Sequence, residues 1–329
     1  MLEQKSLIVS LALGTFALGL TGCPTPNLYT EAQVLGGQSI PADTLNLGYR
    51  SYVKHCYACH GMDGDGRGPA APGLDPAPRD LRAATYKFAW VQDGLPHDDD
   101  IKRILTDGLH GTAMLEWELP DLEFDAVVQY IKTFSPEGEG WKDPDETLGD
   151  KVAMTEVTVA EADMAEAIEQ GKSLYHTDGN CWKCHPAYAT RDYIYEQGQL
   201  RDVNPSFDDQ MYDSKLQKET NFVANGAKVN VLPPDYTFSA MRVSHDVESI
   251  YKTVRGGLGG GLMPAHDNFP EEDILAIAYY VDSLMKLGAE DPVAAGKLRQ
   301  DLRDSLATPW TAPEPPAEEG AEGEGDSGE

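Results

Sequence analysis

The chain has 329 residues, enough for two domains of ordinary size, and a formal net charge of −29 from 55 acidic and 26 basic side chains. A surface this acidic repels phosphate backbones, so the composition excludes nucleic acid as a partner. It attracts basic protein surfaces, although the same charge also serves solubility alone.

The N-terminus carries an export pattern. Within residues 1–22, a positive charge at Lys5 precedes an apolar run from Leu7 to Leu20 that is short for a membrane span. Cys23 follows in LTGC, which resembles the bacterial lipobox, a site of lipid attachment. We therefore expect a lipoprotein signal peptide and a chain tied to a membrane through Cys23, in the periplasm or at the cell surface. An uncleaved anchor helix is the alternative.

The first predicted element after the export signal is a helix. We interpret residues 23–43 as a tether, and Leu45, Tyr49 and Tyr52 recur beyond it at helical spacing. Few segments of the chain alternate with a period of two. The pattern therefore predicts helices joined by loops, an all-α fold.

Further helices are predicted along the chain. Leu122, Val127 and Ile131 lie at helical spacing. Acidic residues at 98–100 and at 271–273 suit helix N-termini, where the backbone dipole favours negative charge.

Three segments lie outside these patterns. Residues 139–160 begin with a Gly-, Pro- and acid-rich stretch that is typical of an interdomain linker. Residues 291–307 predict one more helix. Residues 308–329 are acidic and of low complexity, so we expect a disordered tail.

Cysteines other than Cys23 form two pairs. These are Cys56 and Cys59 in CYACH, and Cys181 and Cys184 in CWKCH. In an exported protein the default use of such pairs is the disulfide. Cysteine pairs at this spacing also build four-cysteine zinc sites and thioredoxin-like redox centres.

A histidine directly follows each pair, and these are His60 and His185. C-x-x-C-H is the covalent attachment signal for c-type haem. Two thiols at this spacing reach the two vinyl groups of one porphyrin, and the adjacent imidazole faces the iron. The motifs therefore predict two covalently bound haem c groups, with His60 and His185 as iron ligands.

An internal repeat supports two haem units. IKRILTDGLHGTAM aligns with IYKTVRGGLGGGLM, and VVQYIKTF aligns with IAYYVDSL. The paired positions include Gly48 and Gly171, Tyr52 and Tyr175, Gly108 and Gly257, Met114 and Met263, and Tyr130 and Tyr280. A chain with this repeat is expected to hold the same fold twice.

The motifs CYACHGMDGDGRGP and GLHGTAMLEW, then CWKCH and GLGGGLMPAH, resemble class I cytochromes c in a two-haem form. The resemblance implies two tandem class I cytochrome c-like domains, residues 44–138 and 161–290, each wrapped around one haem. It also implies that Gly48 meets Tyr130, and Gly171 meets Tyr280, where the first and last helices of each domain cross.

The second copy departs from the family pattern. Pro186 rather than Gly follows His185, and an extra stretch near 188–232 has no counterpart that we can place. This insertion is either a partner surface or an ordinary solvated segment.

The sixth iron ligand decides what each haem can do. Met114 and Met263 occupy equivalent glycine loops, so we expect them to be axial ligands. His110 aligns with Gly259 and His266 with Trp117, so the repeat gives neither histidine an equivalent. His110 is either a bystander or a ligand in another redox or pH state.

The resemblance also implies roles around His60. A proline carbonyl past the motif orients this histidine in the family, which points to Pro69 or, alternatively, Pro72. Arg79 is expected either to pair with a haem propionate or to form an ordinary surface salt bridge.

These expectations lead to a function. The chain is expected to be a membrane-tethered electron-transfer protein rather than an enzyme, with redox proteins as partners. It acts either as a free carrier or as a subunit of a respiratory complex. A dihaem peroxidase is the enzymatic alternative, and a zinc- or disulfide-stabilised binding module is the third hypothesis.

Overall fold

The computed structural model describes residues 27–154, 159–213, 223–224, 227–228, 230–243 and 246–313, with backbone alone for 223–224 and 227–228. The expected signal peptide and the lipidation site at Cys23 lie outside these residues. None of the helices in these ranges has the length and apolar character that a membrane crossing requires.

The first unit contains four helices: α1 (Ala42–His55), α2 (Tyr57–His60), α3 (Asp98–Asp107) and α4 (Asp121–Lys132). Helices α1 and α4 cross at Gly48, where a Cβ atom would lie 2.1 Å from the Ala126 carbonyl oxygen and 2.7 Å from Tyr130 Cβ. The predicted contact between Gly48 and Tyr130 is therefore confirmed.

The second unit repeats this crossing. Its helices are α5 (Met164–His176), α6 (Arg191–Leu200), α7 (Val247–Gly256), α8 (Glu271–Glu290) and α9 (Pro292–Asp304). A Cβ on Gly171 of α5 would lie 2.0 Å from the Ala276 carbonyl oxygen and 2.9 Å from Tyr280 Cβ. The predicted contact between Gly171 and Tyr280 is confirmed as well.

The helix ends follow from local chemistry. Helix α3 begins at Asp98 and α8 at Glu271, as the acidic clusters predicted. Asp246 precedes α7, and its carboxylate accepts a hydrogen bond from the Ser249 backbone amide at 2.7 Å. A cap of this kind stabilises a helix by about 1 kcal/mol. The predicted C-terminal helix is present as α9 and a 3-10 turn at Ser305–Ala307.

Strands in the described residues form three two-stranded antiparallel ribbons. They pair β1 (Gln33–Leu35) with β2 (Gln38–Ile40), β3 (Val91–Gln92) with β4 (Asp150–Lys151), and β5 (Val223–Ala224) with β6 (Ala227–Lys228). The elements that form the cores are helices, so the all-α class is confirmed.

The described residues of the predicted tether fold against the first unit. The β1–β2 hairpin packs on the first unit, with Leu35 buried and the Gly36 amide donating to the Trp141 carbonyl at 2.7 Å. The predicted linker also folds onto this unit, because Trp141 is buried and Asp150 begins β4. Both segments were assigned from composition, which does not report these long-range contacts.

Part of the described insertion belongs to the core of the second unit. Met211 and Tyr212 are buried in the second core beside Tyr188. The tail that was predicted to be disordered is folded at Trp310. The indole nitrogen of this residue donates to Asp192 at 2.8 Å, and its ring packs on Phe207 with centroids 4.7 Å apart. Residues 188–213 therefore supply a surface on which the end of the chain folds.

Candidate haem-binding sites

The first site is built at the junction of α1 and α2. Cys56 caps the end of α1, and His60 ends α2. The His60 Nδ1 atom lies 3.0 Å from the Arg79 carbonyl oxygen, to which it donates, and the Tyr52 hydroxyl donates to the Gly61 carbonyl at 2.6 Å. The first bond fixes the His60 ring, and the second fixes the backbone just after it. His60 Nε2 is then the nitrogen that can bind a metal.

The expected proline carbonyl at Pro69 or Pro72 is wrong. Gly68 and Ala70 donate backbone hydrogen bonds to the carbonyls of Cys59 and Ala58, at 3.1 and 2.9 Å. These bonds hold the segment around Pro69 against the backbone of the motif, and the His60 ring donates instead to the Arg79 carbonyl.

The second site has the same construction. His185 Nδ1 lies 3.0 Å from the Pro234 carbonyl oxygen, and the Tyr175 hydroxyl donates to the Pro186 carbonyl at 2.9 Å. The sequence alone did not identify Pro234.

Burial controls the charge of the histidines. Loss of water around the rings lowers the pKa of both His60 and His185 below the ordinary value of 6.5, so the imidazoles are neutral at pH 7. A neutral imidazole with Nδ1 donating to a carbonyl presents a lone pair at Nε2. That is the protonation state required of an iron ligand.

The four thiols fit covalent attachment better than a disulfide or a zinc site. Cys56, Cys59, Cys181 and Cys184 are all free of disulfide bonds. Burial raises the pKa of the Cys56 and Cys181 thiols to about 12, so they are protonated rather than thiolate. Across the described ranges, no three His, Cys, Asp or Glu side chains group as metal ligands.

The two methionine loops have matching backbones. Gly108 and Gly257 both adopt left-handed conformations, with φ of 65° and 66°. The Leu109 amide donates to the Met114 carbonyl at 2.8 Å, and the Leu258 amide donates to the Met263 carbonyl at 3.1 Å. The glycine in each loop lets the chain turn back beside its own methionine.

The predicted methionine ligands border the expected cores. Met114 and Cys56 pack against the core of the first unit, and Met263 and Cys181 pack against that of the second. His110 is exposed, and its backbone amide donates to the Arg242 carbonyl at 3.0 Å. Met114 therefore lies against the core of the first unit, whereas His110 lies at the protein surface.

Tyr236 distinguishes the second site from the first. Its hydroxyl lies 3.2 Å from His185 Nε2, and the two rings stack with centroids 4.9 Å apart. Tyr236 lies two residues past the carbonyl that accepts from His185, and the residue two past the corresponding Arg79 carbonyl is Leu81. A metal at His185 requires the Tyr236 hydroxyl to leave this nitrogen.

Two arginines connect the units reciprocally, a feature that the sequence analysis missed for Arg242. Arg242 Nη1 donates to the His110 and Gly111 carbonyls at 3.0 and 2.8 Å, in the loop of the first unit. Arg79 Nη2 donates to the Gly259 carbonyl at 3.0 Å, in the loop of the second unit. Each methionine loop is therefore held by an arginine from the other unit.

Comparison with known proteins places the first unit in a family. A chain of the reducing HAO-like protein complex of Kuenenia stuttgartiensis is similar in structure, with a TM-score of 0.56 and 24% identity, covering 72% of this chain and 95% of that chain. At this identity the similarity shows the fold alone. No curated protein matches the chain. The family model described as Cytochrome c matches residues 45–135, and these residues therefore form a cytochrome c domain.

Proposed function

We propose that this protein is a dihaem cytochrome c that transfers single electrons between extracytoplasmic redox partners. The observation that carries the proposal is the duplicated site. In both units the histidine after the paired cysteines donates to a backbone carbonyl at 3.0 Å. A buried tyrosine hydroxyl donates to the carbonyl of the residue that follows this histidine. The methionine loops close with the same backbone hydrogen bond. Such agreement supports a second haem domain at 161–290.

The residues have separate roles in this proposal. Cys56 and Cys59 hold the first haem, and Cys181 and Cys184 hold the second. His60 and Met114 would bind the iron of the first haem, and His185 and Met263 would bind that of the second. Haem c with His and Met ligands supplies one-electron chemistry at a raised reduction potential. The protein itself orients the ligands and excludes water, with no catalytic residue.

The localisation proposal depends on the N-terminus. Lipidation of Cys23 after removal of residues 1–22 would tie the domains to a membrane surface. Intact-mass measurement of the membrane fraction should detect a diacylglyceryl group, and Cys23→Ser should release the chain into the soluble fraction. Soluble wild-type protein of unmodified mass would contradict the anchor.

The chain can act alone or within an assembly. The similar solved chain belongs to a protein complex, which favours a role as an electron-transfer subunit. Purification from native membranes tests this role, because co-purified redox proteins identify the partners. A chain that purifies alone would favour the free carrier.

A spectroscopic count of haems and ligands tests the central proposal. The pyridine haemochrome assay should return two covalent haems per chain, and Cys181→Ser with Cys184→Ser should leave one. The oxidised protein should show the methionine-to-iron charge-transfer band for both haems. A resting high-spin haem would instead support the dihaem peroxidase, and absence of covalent haem would support the binding module.

A further inference from the structure

Three cationic side chains gather where the units meet. They are Arg79 and Lys87 of the first unit and Arg242 of the second. The cluster borders both methionine loops, and it occurs in a chain whose net charge is −29.

The loop of the second unit meets two of these cations. Arg79 Nη2 donates to the Gly259 carbonyl, and a Cβ on Gly260 would lie 2.8 Å from Arg79 Nη1. The Lys87 Cε atom lies 3.7 Å from the position that a Cβ on Gly261 would take. Glycines at these positions leave room for both side chains beside the loop.

The loop of the first unit meets the third cation. The Arg242 guanidinium donates to the His110 and Gly111 carbonyls, while the His110 amide donates to the Arg242 carbonyl at 3.0 Å. Gly111 and Gly260 are equivalent in the repeat, and each faces an arginine of the opposite unit. The cluster is therefore common to both sites rather than part of one.

The charges in this cluster repel one another. Burial, and then the nearby charges of Arg79 and Arg242, lower the pKa of Lys87 to about 8. Among the described residues, Lys87 and Arg242 form no salt bridge with a carboxylate of the chain. An anionic group placed against Lys87 and Arg242 would offset this repulsion.

We propose that Arg79, Lys87 and Arg242 form one shared carboxylate-binding site for the propionate groups of both haems. The inference rests on the proposed function, because each haem c carries two propionates. Guanidinium groups match carboxylates in geometry, and an ammonium group adds a compact charge. The reduction potentials of both haems then depend on the same three side chains.

Lys87→Gln is the sharpest test, because Lys87 makes no hydrogen bond to the chain in the described residues and its loss removes charge alone. Removal of a positive charge favours the oxidised state, so both reduction potentials should fall in a redox titration of the purified dihaem protein. The propionate bending bands in resonance Raman spectra should shift for both haems. Lys297→Gln, on exposed α9, is the matched control and should change neither measurement.

The conservative variant separates charge from folding. Lys87→Arg should keep both potentials near those of the unmodified protein. A change in one potential only, or no change beyond the Lys297→Gln control, would overturn the shared site. The haemochrome count distinguishes this failure from failure of the proposed function: two haems with unchanged potentials reject the shared site alone, whereas fewer than two haems reject both.

Discussion

Met114 lies half-buried in a glycine loop, whereas Met62 is a surface methionine with 45% of its side chain exposed. A thioether ligand stabilises Fe(II), so Met114→Ala is expected to lower the reduction potential of one haem only. Redox titration of the purified protein measures both reduction potentials. Met62→Ala is the control variant and should not change either of them. Unchanged potentials in Met114→Ala would show that the ligand assignment is wrong.

His176 makes the stability of the second unit depend on pH. Its Nδ1 faces the Lys172 carbonyl at 2.7 Å, its Nε2 accepts from the Tyr188 amide at 3.1 Å, and burial lowers its pKa from 6.5 to about 3. The unfolded chain therefore binds a proton more readily than the folded chain. Stability is full above pH 6.5 and falls as the pH drops toward 3, by up to about 1.4 kcal/mol per pH unit.

Denaturant unfolding at a series of pH values checks this dependence. His176→Gln should flatten the slope of the unfolding free energy between about pH 6 and pH 4, because glutamine does not titrate there. The slopes of the two proteins should coincide above about pH 7.5, which serves as the internal control. Equal slopes at low pH would remove His176 as the cause.

At the scale of single residues, the sequence indicates the residues that we propose for haem attachment but not the groups that orient the two histidines. His60 and His185 follow from their position beside paired cysteines, which is a local pattern. Their carbonyl partners, at Arg79 and Pro234, are 19 and 49 residues away in the chain. Loops of such different length carry no periodic signal, so only the folded chain shows which carbonyl reaches each ring.

At the scale of helices, the crossing of α1 and α4 depends on the missing side chain at Gly48. A Cβ there would overlap the Ala126 carbonyl, so Gly48→Ala must separate the two helices. We expect a loss of at least about 1–3 kcal/mol in unfolding free energy, measured by chemical denaturation. Gly73→Ala is the matched control, because a Cβ on Gly73 meets nothing within 4 Å. Equal stabilities of the two variants would contradict tight packing at the crossing.

Helices were easier to predict than the segments between them. The acidic starts of α3 and α8 and the apolar spacing in α1 and α4 are local signals, and the structure agrees with them. The segments predicted as tether and linker contain Gly, Pro and acidic residues, yet they fold because Trp141 packs against Gly36 and β4 pairs with β3. Those contacts join distant parts of the chain, and composition does not encode them.

At the scale of the whole molecule, the two units are joined through their methionine loops rather than through remote surfaces. The Arg79 carbonyl accepts a hydrogen bond from the His60 ring, and the Arg79 side chain donates to the methionine loop of the second unit. Trp90 adds a second contact, donating from its indole nitrogen to Thr253 at 3.1 Å. The sequence repeat predicted two units but not this reciprocal contact, because the aligned segments of the repeat include neither Arg79 nor Arg242.

The acidic surface gives the last prediction, on partner association. A net charge of −29 should steer basic proteins toward this molecule, and such steering raises association rates about 10- to 1,000-fold at low salt. The screening length falls from about 30 Å at 0.01 M to about 8 Å at 0.15 M ionic strength, so the rate should fall steeply over this range. Stopped-flow mixing with a reduced, basic single-haem cytochrome c measures it, and an uncharged reductant is the control. A rate that is independent of salt for both reductants would show that the acidic charge serves solubility alone.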